Sequence, residues 1–428
     1  MFRKLKDRLY HILRWSEKYT KTDMVYFAAS NFWLNTSRFV SIGTGMFLTV
    51  AFANLLPPEV FGTYKYVLAS AGFIGIFALN GLGTAMVRAA AQGKFHVLPA
   101  VVRTANLWSI PGSLAALAVS IYYFVQGNSD LGFAFFFISI SNTFASGFVA
   151  SKNIWNTSGN FKMATISGIP RTIVPFFIIL LTILYTHDIV LILLAYFGSN
   201  LLASWLGYLF TLWWFRIKES KKDVEETMRY GKQMTALSFF QIASGYIDQL
   251  LLWHFTTPAT LAIYALGLAP VNEAQNLINN FLAILFPKLA NKTEAEVHQT
   301  LPLRIKQVFL VSCAVAFVYI IAVPFLFMFL FPQYLASVLV SQILAIVILL
   351  HPTKSVVDVF FTAHALVGAR AKVIIGSQIV RFGLFVTLIP FFGLWGAVAA
   401  TILSELGAAL VFLWMYMRLR AEFRKSAV

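Results

Sequence analysis

Charged residues inside long apolar stretches are the first candidates for chemistry in this sequence. Four cations fall in such stretches, Arg38, Lys65, Arg171 and Arg381, and so do four carboxylates, Asp248, Glu273, Asp358 and Glu405. A charge at the middle of a bilayer costs about 3 kcal/mol on insertion scales, so such residues usually face a cavity or a partner. Arginine binds phosphate oxygens through paired hydrogen bonds, which makes the cations a substrate-binding set for a pyrophosphate or sugar group. Buried carboxylates suit coupling to a proton or a sodium ion. The competing reading is internal ion pairing, for example Arg381 with Glu405, with no part in binding. The carboxylates lie only in the second half, whereas the spans of the first half are purely cationic. His254, His351 and His364 fall near helix ends and read as polar lining.

Catalytic patterns are not found. There is no metal-ligand cluster, no glycine-rich phosphate loop and no nucleophile elbow, so the expectation is a protein that is not an enzyme and carries no cofactor. The single cysteine, Cys313, sits in an apolar run and reads as packing.

The elements that must hold these charges are membrane helices. Of the 428 residues, 59% are hydrophobic and only 12% charged. Soluble domains carry about 25% charged residues. The apolar runs are continuous, as in 173–185, 309–331 and 336–350, which excludes the alternation of a membrane barrel. A span needs about twenty apolar residues. On that rule helices are expected at 24–53, 61–87, 103–126, 131–152, 163–186, 189–215, 231–255, 260–287, 306–330, 335–364, 372–391 and 394–417.

Loop charges orient the spans. One set of loops carries Arg88, Lys94, Lys152, Lys162, Arg216, Lys218, Lys288, Arg304 and Arg370, among others, and the tail adds Arg418 and Arg420. The alternate loops, 54–60, 127–130, 187–188, 256–259, 331–334 and 392–393, contain no Lys or Arg. The positive-inside rule then puts both termini in the cytoplasm. Residues 1–22 hold seven Lys and Arg without a long apolar core, so they read as a basic amphipathic segment on anionic lipid rather than a signal peptide. The net charge of +16 is spread over these loops, which argues against nucleic acid as a partner. The expected organisation is the basic segment 1–22, an N-lobe at 23–215, a cytoplasmic linker at 216–230, a C-lobe at 231–417 and a basic tail at 418–428.

The halves echo each other. Pro58 and Tyr64 match Pro258 and Tyr264 at an offset of 200; Lys162 and Arg171 match Lys372 and Arg381 at an offset of 210. Six spans per half make the repeat parallel, which predicts two six-helix lobes around a central cavity and a transporter that rocks between inward and outward access. Gly81 and Gly83 fall inside an apolar helix and read as close helix packing.

The segment 54–93, NLLPPEVFGTYKYVLASAGFIGIFALNGLGTAMVRAAAQG, resembles the second-helix signature of the oligosaccharide flippases of O-antigen and capsule pathways. The matching residues are Pro58, Glu59, Phe61, Gly62, Tyr64 and Arg88. The segment GLWGAVAATILSE resembles that family's last-helix pattern. The family belongs to the multidrug/oligosaccharidyl-lipid/polysaccharide exporter superfamily. The resemblance implies an all-α polytopic fold of about twelve helices, and an undecaprenyl-pyrophosphate-linked oligosaccharide as substrate. That substrate is moved from the cytoplasmic to the periplasmic leaflet of a bacterial inner membrane, in O-antigen, lipopolysaccharide, capsule or exopolysaccharide synthesis. It further implies that Arg38, Lys65 and Arg171 handle the pyrophosphate. Anionic lipids and other polysaccharide-assembly membrane proteins are the expected partners, with a monomer as the expected state. The competing readings are a lipid-II-type flippase, a drug/cation antiporter of the same superfamily and, from another class, a membrane glycosyltransferase or glycan polymerase.

Overall fold

A computed structural model describes Arg14 and residues 24–218, 220, 222–283, 294–363 and 367–426. The basic segment 1–22, Arg14 apart, and His364 lie outside the described residues. Among the described residues all regular structure is helical. The helices are α1 (Met24–Leu55), α2 (Pro58–Ile74), α3 (Gly81–Ala91), α4 (Leu98–Val125), α5 (Ser129–Phe148), α6 (Ala150–Thr157) and α7 (Phe161–Tyr185). They continue with α8 (Ile189–Trp214), α9 (Val224–Phe255), α10 (Pro258–Ala283), α11 (Glu294–Leu330), α12 (Ala336–Ala363) and α13 (Val367–Ser426).

The sequence starts these helices by ordinary capping chemistry. Asn128 accepts from the Leu131 amide at 3.1 Å, Asn160 from the Met163 amide at 3.2 Å and Asp188 from the Val190 amide at 2.8 Å. Pro58 and Pro258 each occupy the first residue of a helix, where a missing N–H costs nothing. At the end of the chain α13 is two helices that meet at Gly393, with φ 51° and ψ −124°. That left-handed conformation favours glycine.

Nine described helices are long and apolar enough to cross a membrane. The last of them, residues 370–418, has 49 residues. At about 1.5 Å per residue it is more than twice the hydrocarbon thickness, so it makes two crossings around Gly393. α9 and α10 fall short on apolarity because of side chains such as Gln241, Asp248, Glu273 and Asn279, yet their lengths are those of spans. The chain is an all-α, multi-pass membrane protein.

The expected single span 61–87 is broken. Between α2 and α3 the chain makes a short 3-10 turn at Gly75–Phe77, and Asn80 bonds back to the Ala78 carbonyl at 3.0 Å. Gly81 then donates its amide to Thr235 at 3.0 Å, and a Cβ there would strike the α9 backbone at Gly231 and Thr235. Close packing is the role of Gly81, as its sequence context suggests.

The chain divides into two compact units. One contains residues up to Ala51 with Phe77–Thr235, and the other Phe52–Ile76 with Ala236–Val428. In the first, α4 and α5 form an antiparallel pair. Asn142 on α5 donates to the Ser109 carbonyl and the Ser113 hydroxyl of α4, both at 3.1 Å, and Gly147 brings its backbone onto Asn106 at 2.8 Å. The linker expected at 216–230 is shorter in the structure, since α9 begins at Val224. Asp223, at φ 60°, meets Lys94 at 3.0 Å and His96 at 3.5 Å, while Glu226 meets Lys94 at 3.5 Å and Arg88 at 3.6 Å. These contacts tie the start of α9 to the loop after α3.

In the second unit α10, α12 and α13 surround a core that includes Leu252, Tyr264, Leu344, Val357, Phe385 and Phe412. α2 belongs here and not, as its place in the sequence suggested, with the N-lobe. Its glycines decide this. A Cβ on Gly62 would overlap the Pro258 carbonyl, and one on Gly72 would overlap the Tyr246 ring. Tyr66 stacks on Trp253 with centroids 4.4 Å apart and planes at 10°. Asn54, just before α2, donates to the Leu330 carbonyl at 2.8 Å.

Candidate functional site

Three helical faces of the second unit converge on one polar cavity. α12 contributes His351, Lys354, Ser355 and Asp358, whose spacing of three, four and seven residues puts them on one face. The first arm of α13 contributes Arg370, Ile374, Gln378 and Arg381 at the same kind of spacing, and the second arm contributes Ser404, Glu405, Ala408 and Phe412. Gln241 of α9 completes the wall. The cavity volume is about 240 Å³.

Its charges are arranged around two carboxylates. Glu405, with a side chain only 8% exposed, accepts from Lys354 Nζ at 2.6 Å. His351 Nδ1 lies 3.6 Å from the same oxygen, and Arg381 Nη1 lies 3.9 Å from the other. Both distances exceed hydrogen-bond length. His351 Nε2 is 3.1 Å from the Asn279 amide nitrogen, so with that nitrogen donating, the ring proton sits on Nδ1 and faces Glu405. Arg370 grips Asp358 at two points, Nε to Oδ1 at 2.6 Å and Nη2 to Oδ2 at 2.9 Å. Three cations (Lys354, Arg370, Arg381) and two carboxylates (Asp358, Glu405) line the cavity, and a third carboxylate, Asp248, interacts with Arg381 from beside it.

A hydrogen-bond chain runs beside the cavity. Ser244 on α9 makes a short bond to Gln378, and one turn further on is Asp248, 2% exposed. Asp248 accepts from the Gln249 amide at 2.8 Å and from the Tyr264 hydroxyl at 3.0 Å. Tyr264 is also 3.0 Å from the Thr401 hydroxyl, which is 2.8 Å from the Ala397 carbonyl. Three contacts thus share two hydroxyl protons.

The sequence-derived set is divided by the structure. Arg381, Asp358 and Glu405 meet in the cavity, and Asp248 adjoins it by its electrostatic interaction with Arg381. Internal pairing of Glu405, the competing reading, is present, though Lys354 is its close partner and Arg381 the distant one. Glu273 is exposed on α10 and does not line the cavity. Arg38 is exposed on α1 in the first unit. Lys65 lies in a different unit from Arg38 and Arg171. It belongs with α2 to the second unit, where its Nζ lies 5.1 Å over the Phe61 ring. Arg171 is held within the first unit by the Ser151 and Thr211 hydroxyls at 3.3 and 3.4 Å, and Gly207 leaves room for its guanidinium. Lys354 and Arg370 are the residues that reading single charges missed. The signal was periodicity: 351, 354, 355 and 358 with 370, 377, 378 and 381 describe two polar helix faces. The second half thus sets Lys354, Arg370 and Arg381 beside its four carboxylates, Asp248, Glu273, Asp358 and Glu405.

The fold and this charged intramembrane cavity define the class, a polytopic helical membrane protein. Residues 27–293 match the model of the family described as polysaccharide biosynthesis protein, and the chain belongs to that family. No curated protein matches the sequence. Among solved structures the chain is similar to the lipid II flippase MurJ in an inward closed conformation, at 12% identity and a TM-score of 0.70, over 91% of this chain and 87% of that one. It is also similar to an inward-facing multidrug resistance MATE family transporter of the MOP superfamily, at 14% identity and a TM-score of 0.59, over 93% of this chain and 99% of that one. A MATE structure in the straight conformation aligns at 13% identity and a TM-score of 0.54, over 93% and 96%. At these identities the likeness is one of fold.

Proposed function

We propose that this protein is a flippase for an undecaprenyl-pyrophosphate-linked oligosaccharide, moved by alternating access from the cytoplasmic to the periplasmic leaflet of a bacterial inner membrane. The products it serves are surface polysaccharides of the O-antigen, capsule or exopolysaccharide kind. The observation that carries the reading is membership in the polysaccharide biosynthesis family together with a fold similar to that of a lipid II flippase. The cations Lys354, Arg370 and Arg381 lining the cavity support it, since a pyrophosphate within the membrane needs cations that are themselves held in place. Both termini are cytoplasmic in this reading, supported by the Lys- and Arg-free alternate loops.

Coupling is to a proton at Asp248. The hydrogen-bond chain supports a proton over a metal ion: one proton on Asp248 gives Asp248 to Tyr264, Tyr264 to Thr401 and Thr401 to Ala397, one donor for each contact. The remaining intramembrane charges, Arg38, Lys65 and Arg171, belong to the substrate path in this proposal, with Glu273, Asp358 and Glu405 as secondary carboxylates.

The test is translocation in reconstituted vesicles, with a fluorescent lipid-linked oligosaccharide and, in parallel, an organic cation. Movement of the glycan lipid, lowered in both Arg381→Gln and Asp248→Asn, is the expected result. Transport of the cation with no movement of the glycan lipid refutes the proposal and places the protein with drug antiporters.

A further inference from the structure

Arg381 stands between two carboxylates and is bonded to neither. Lys354 and Arg370 each donate to a carboxylate at 2.6 Å, whereas Arg381 donates no hydrogen bond to any described residue. Its Nη1 lies 3.9 Å from Glu405, and its Nε is sealed from the surface without a partner. The other carboxylate is Asp248, which interacts with Arg381 electrostatically. Helix register accounts for this. Ser244 and Asp248 are one turn apart on α9, and Gln378 and Arg381 are one turn apart on α13. The Ser244–Gln378 bond draws these two turns together. Glu405 lines the cavity, whereas Asp248, 2% exposed, does not. Counted with Asp248 and with His351 neutral, three cations (Lys354, Arg370, Arg381) meet three carboxylates (Asp248, Asp358, Glu405). A proton on Asp248 removes one of the three negative charges. Arg381 is the cation that feels the loss, because Lys354 is committed to Glu405 and Arg370 to Asp358.

We infer that Arg381 is the positioning residue of the coupling step: ionised Asp248 and Glu405 share its guanidinium, and a proton arriving on Asp248 releases it to Glu405 alone. Glu405 is then drawn by Arg381 as well as by Lys354. Protonation of a carboxylate outside the cavity thus rearranges the charges that line it. The other titratable groups around the pair are Tyr264 of α10, His351, Lys354 and Asp358 of α12, and Arg370 of α13. The inference rests on the reading of Asp248 as the proton site and adds the side chain through which that proton acts.

Double-mutant cycles on the Tm of the full chain in detergent, without substrate, test this. At pH 9 the change caused by Asp248→Asn should be more favourable in Arg381→Gln than in the parent by about 2 °C or more, because no guanidinium is left to lose its partner. At pH 5, with the proton on Asp248, that difference should vanish. Arg304→Gln, on α11 and bonded to Gln307, controls for net charge and should show no coupling to Asp248. A second cycle leaves Arg381 in place. In Glu405→Gln, Asp248→Asn should cost about 2 °C or more beyond its cost in the parent, since the guanidinium then loses both carboxylates. If Arg381→Gln does not fold, this second cycle decides. Additive changes at pH 9, or equal coupling with Arg304→Gln, overturn the inference and leave the proton reading untouched. Coupling that persists unchanged at pH 5 shows that Asp248 takes up no proton, and overturns both. Coupling as expected without glycan-lipid movement in vesicles keeps the role of Arg381 and removes the flippase reading.

Discussion

Replacing Glu405 with glutamine separates the two carboxylates of the cavity by magnitude. Glu405 and Lys354 are 2.6 Å apart, with side chains 8% and 20% exposed. At an effective dielectric of 20 their attraction is about 6 kcal/mol, and desolvation takes back a large part of it. Removing one partner of such a pair strands the other charge, which costs about 3–5 kcal/mol. Asp358 and Arg370 have the better two-point geometry, but their side chains are 29% and 39% exposed. Solvent screens that pair, and Asp358→Asn is expected to cost about 1 kcal/mol. At about 2 °C per kcal/mol for a chain of this size, Glu405→Gln lowers the Tm by about 6–10 °C and Asp358→Asn by about 2 °C. The assay is thermal unfolding of the purified protein in detergent without added oxyanion. Equal shifts, or a larger one for Asp358→Asn, refute the argument that burial rather than geometry sets the strength of these pairs. The Lys354→Met, Glu405→Gln double variant sharpens it, because removing both charges should restore most of the loss.

Two further predictions concern the ends of the fold. Gly62→Ala puts a methyl group into the Pro258 carbonyl and should cost about 1–3 kcal/mol, whereas Gly75→Ala, with nothing within 4 Å, should fall within about 0.5 kcal/mol of the parent; chemical or thermal unfolding compares them. On the cytoplasmic side, hydrogen bonding to Asp223 raises the Lys94 pKa, and hydrogen bonding to Lys94 lowers that of Asp223. Asp223, being depressed, keeps the contact above the ordinary carboxylate range and loses it as pH falls through its lowered value. Lys94, being raised, keeps it below the ordinary lysine value and loses it as pH rises through its own. Amine-reactive labelling followed by mass spectrometry should find Lys94 slower than Lys222 at pH 7 to 10, and accelerated in Asp223→Asn; equal rates at both lysines in the parent contradict the contact.

Much of the fold was legible before the structure because lipid leaves few alternatives. Unbroken apolar runs and loop charges on alternate connections are local signals, and they marked the helices and the connections between them. The repeat was legible for the same reason: Pro58 and Pro258 begin helices by the same backbone chemistry. The break at residues 75–81 was not, since an apolar segment reads as continuous until Gly81 is seen pressed against the backbone of α9. Lys354 escaped notice because a charge one residue from other polar positions carries no signal until its helix face is known.

Composition and spacing determined that this is a helical membrane protein with charges it cannot leave in lipid. Only the tertiary structure decided which charges meet. Asp358 and Arg370 are 12 residues apart and Lys354 and Glu405 are 51 apart, and nothing local distinguishes them from Arg38 or Glu273, which line no part of the cavity. Pairing depends on which helix faces pack together. That in turn depends on distant residues such as Gly62 and Tyr264, whose effect appears only when the helices touch.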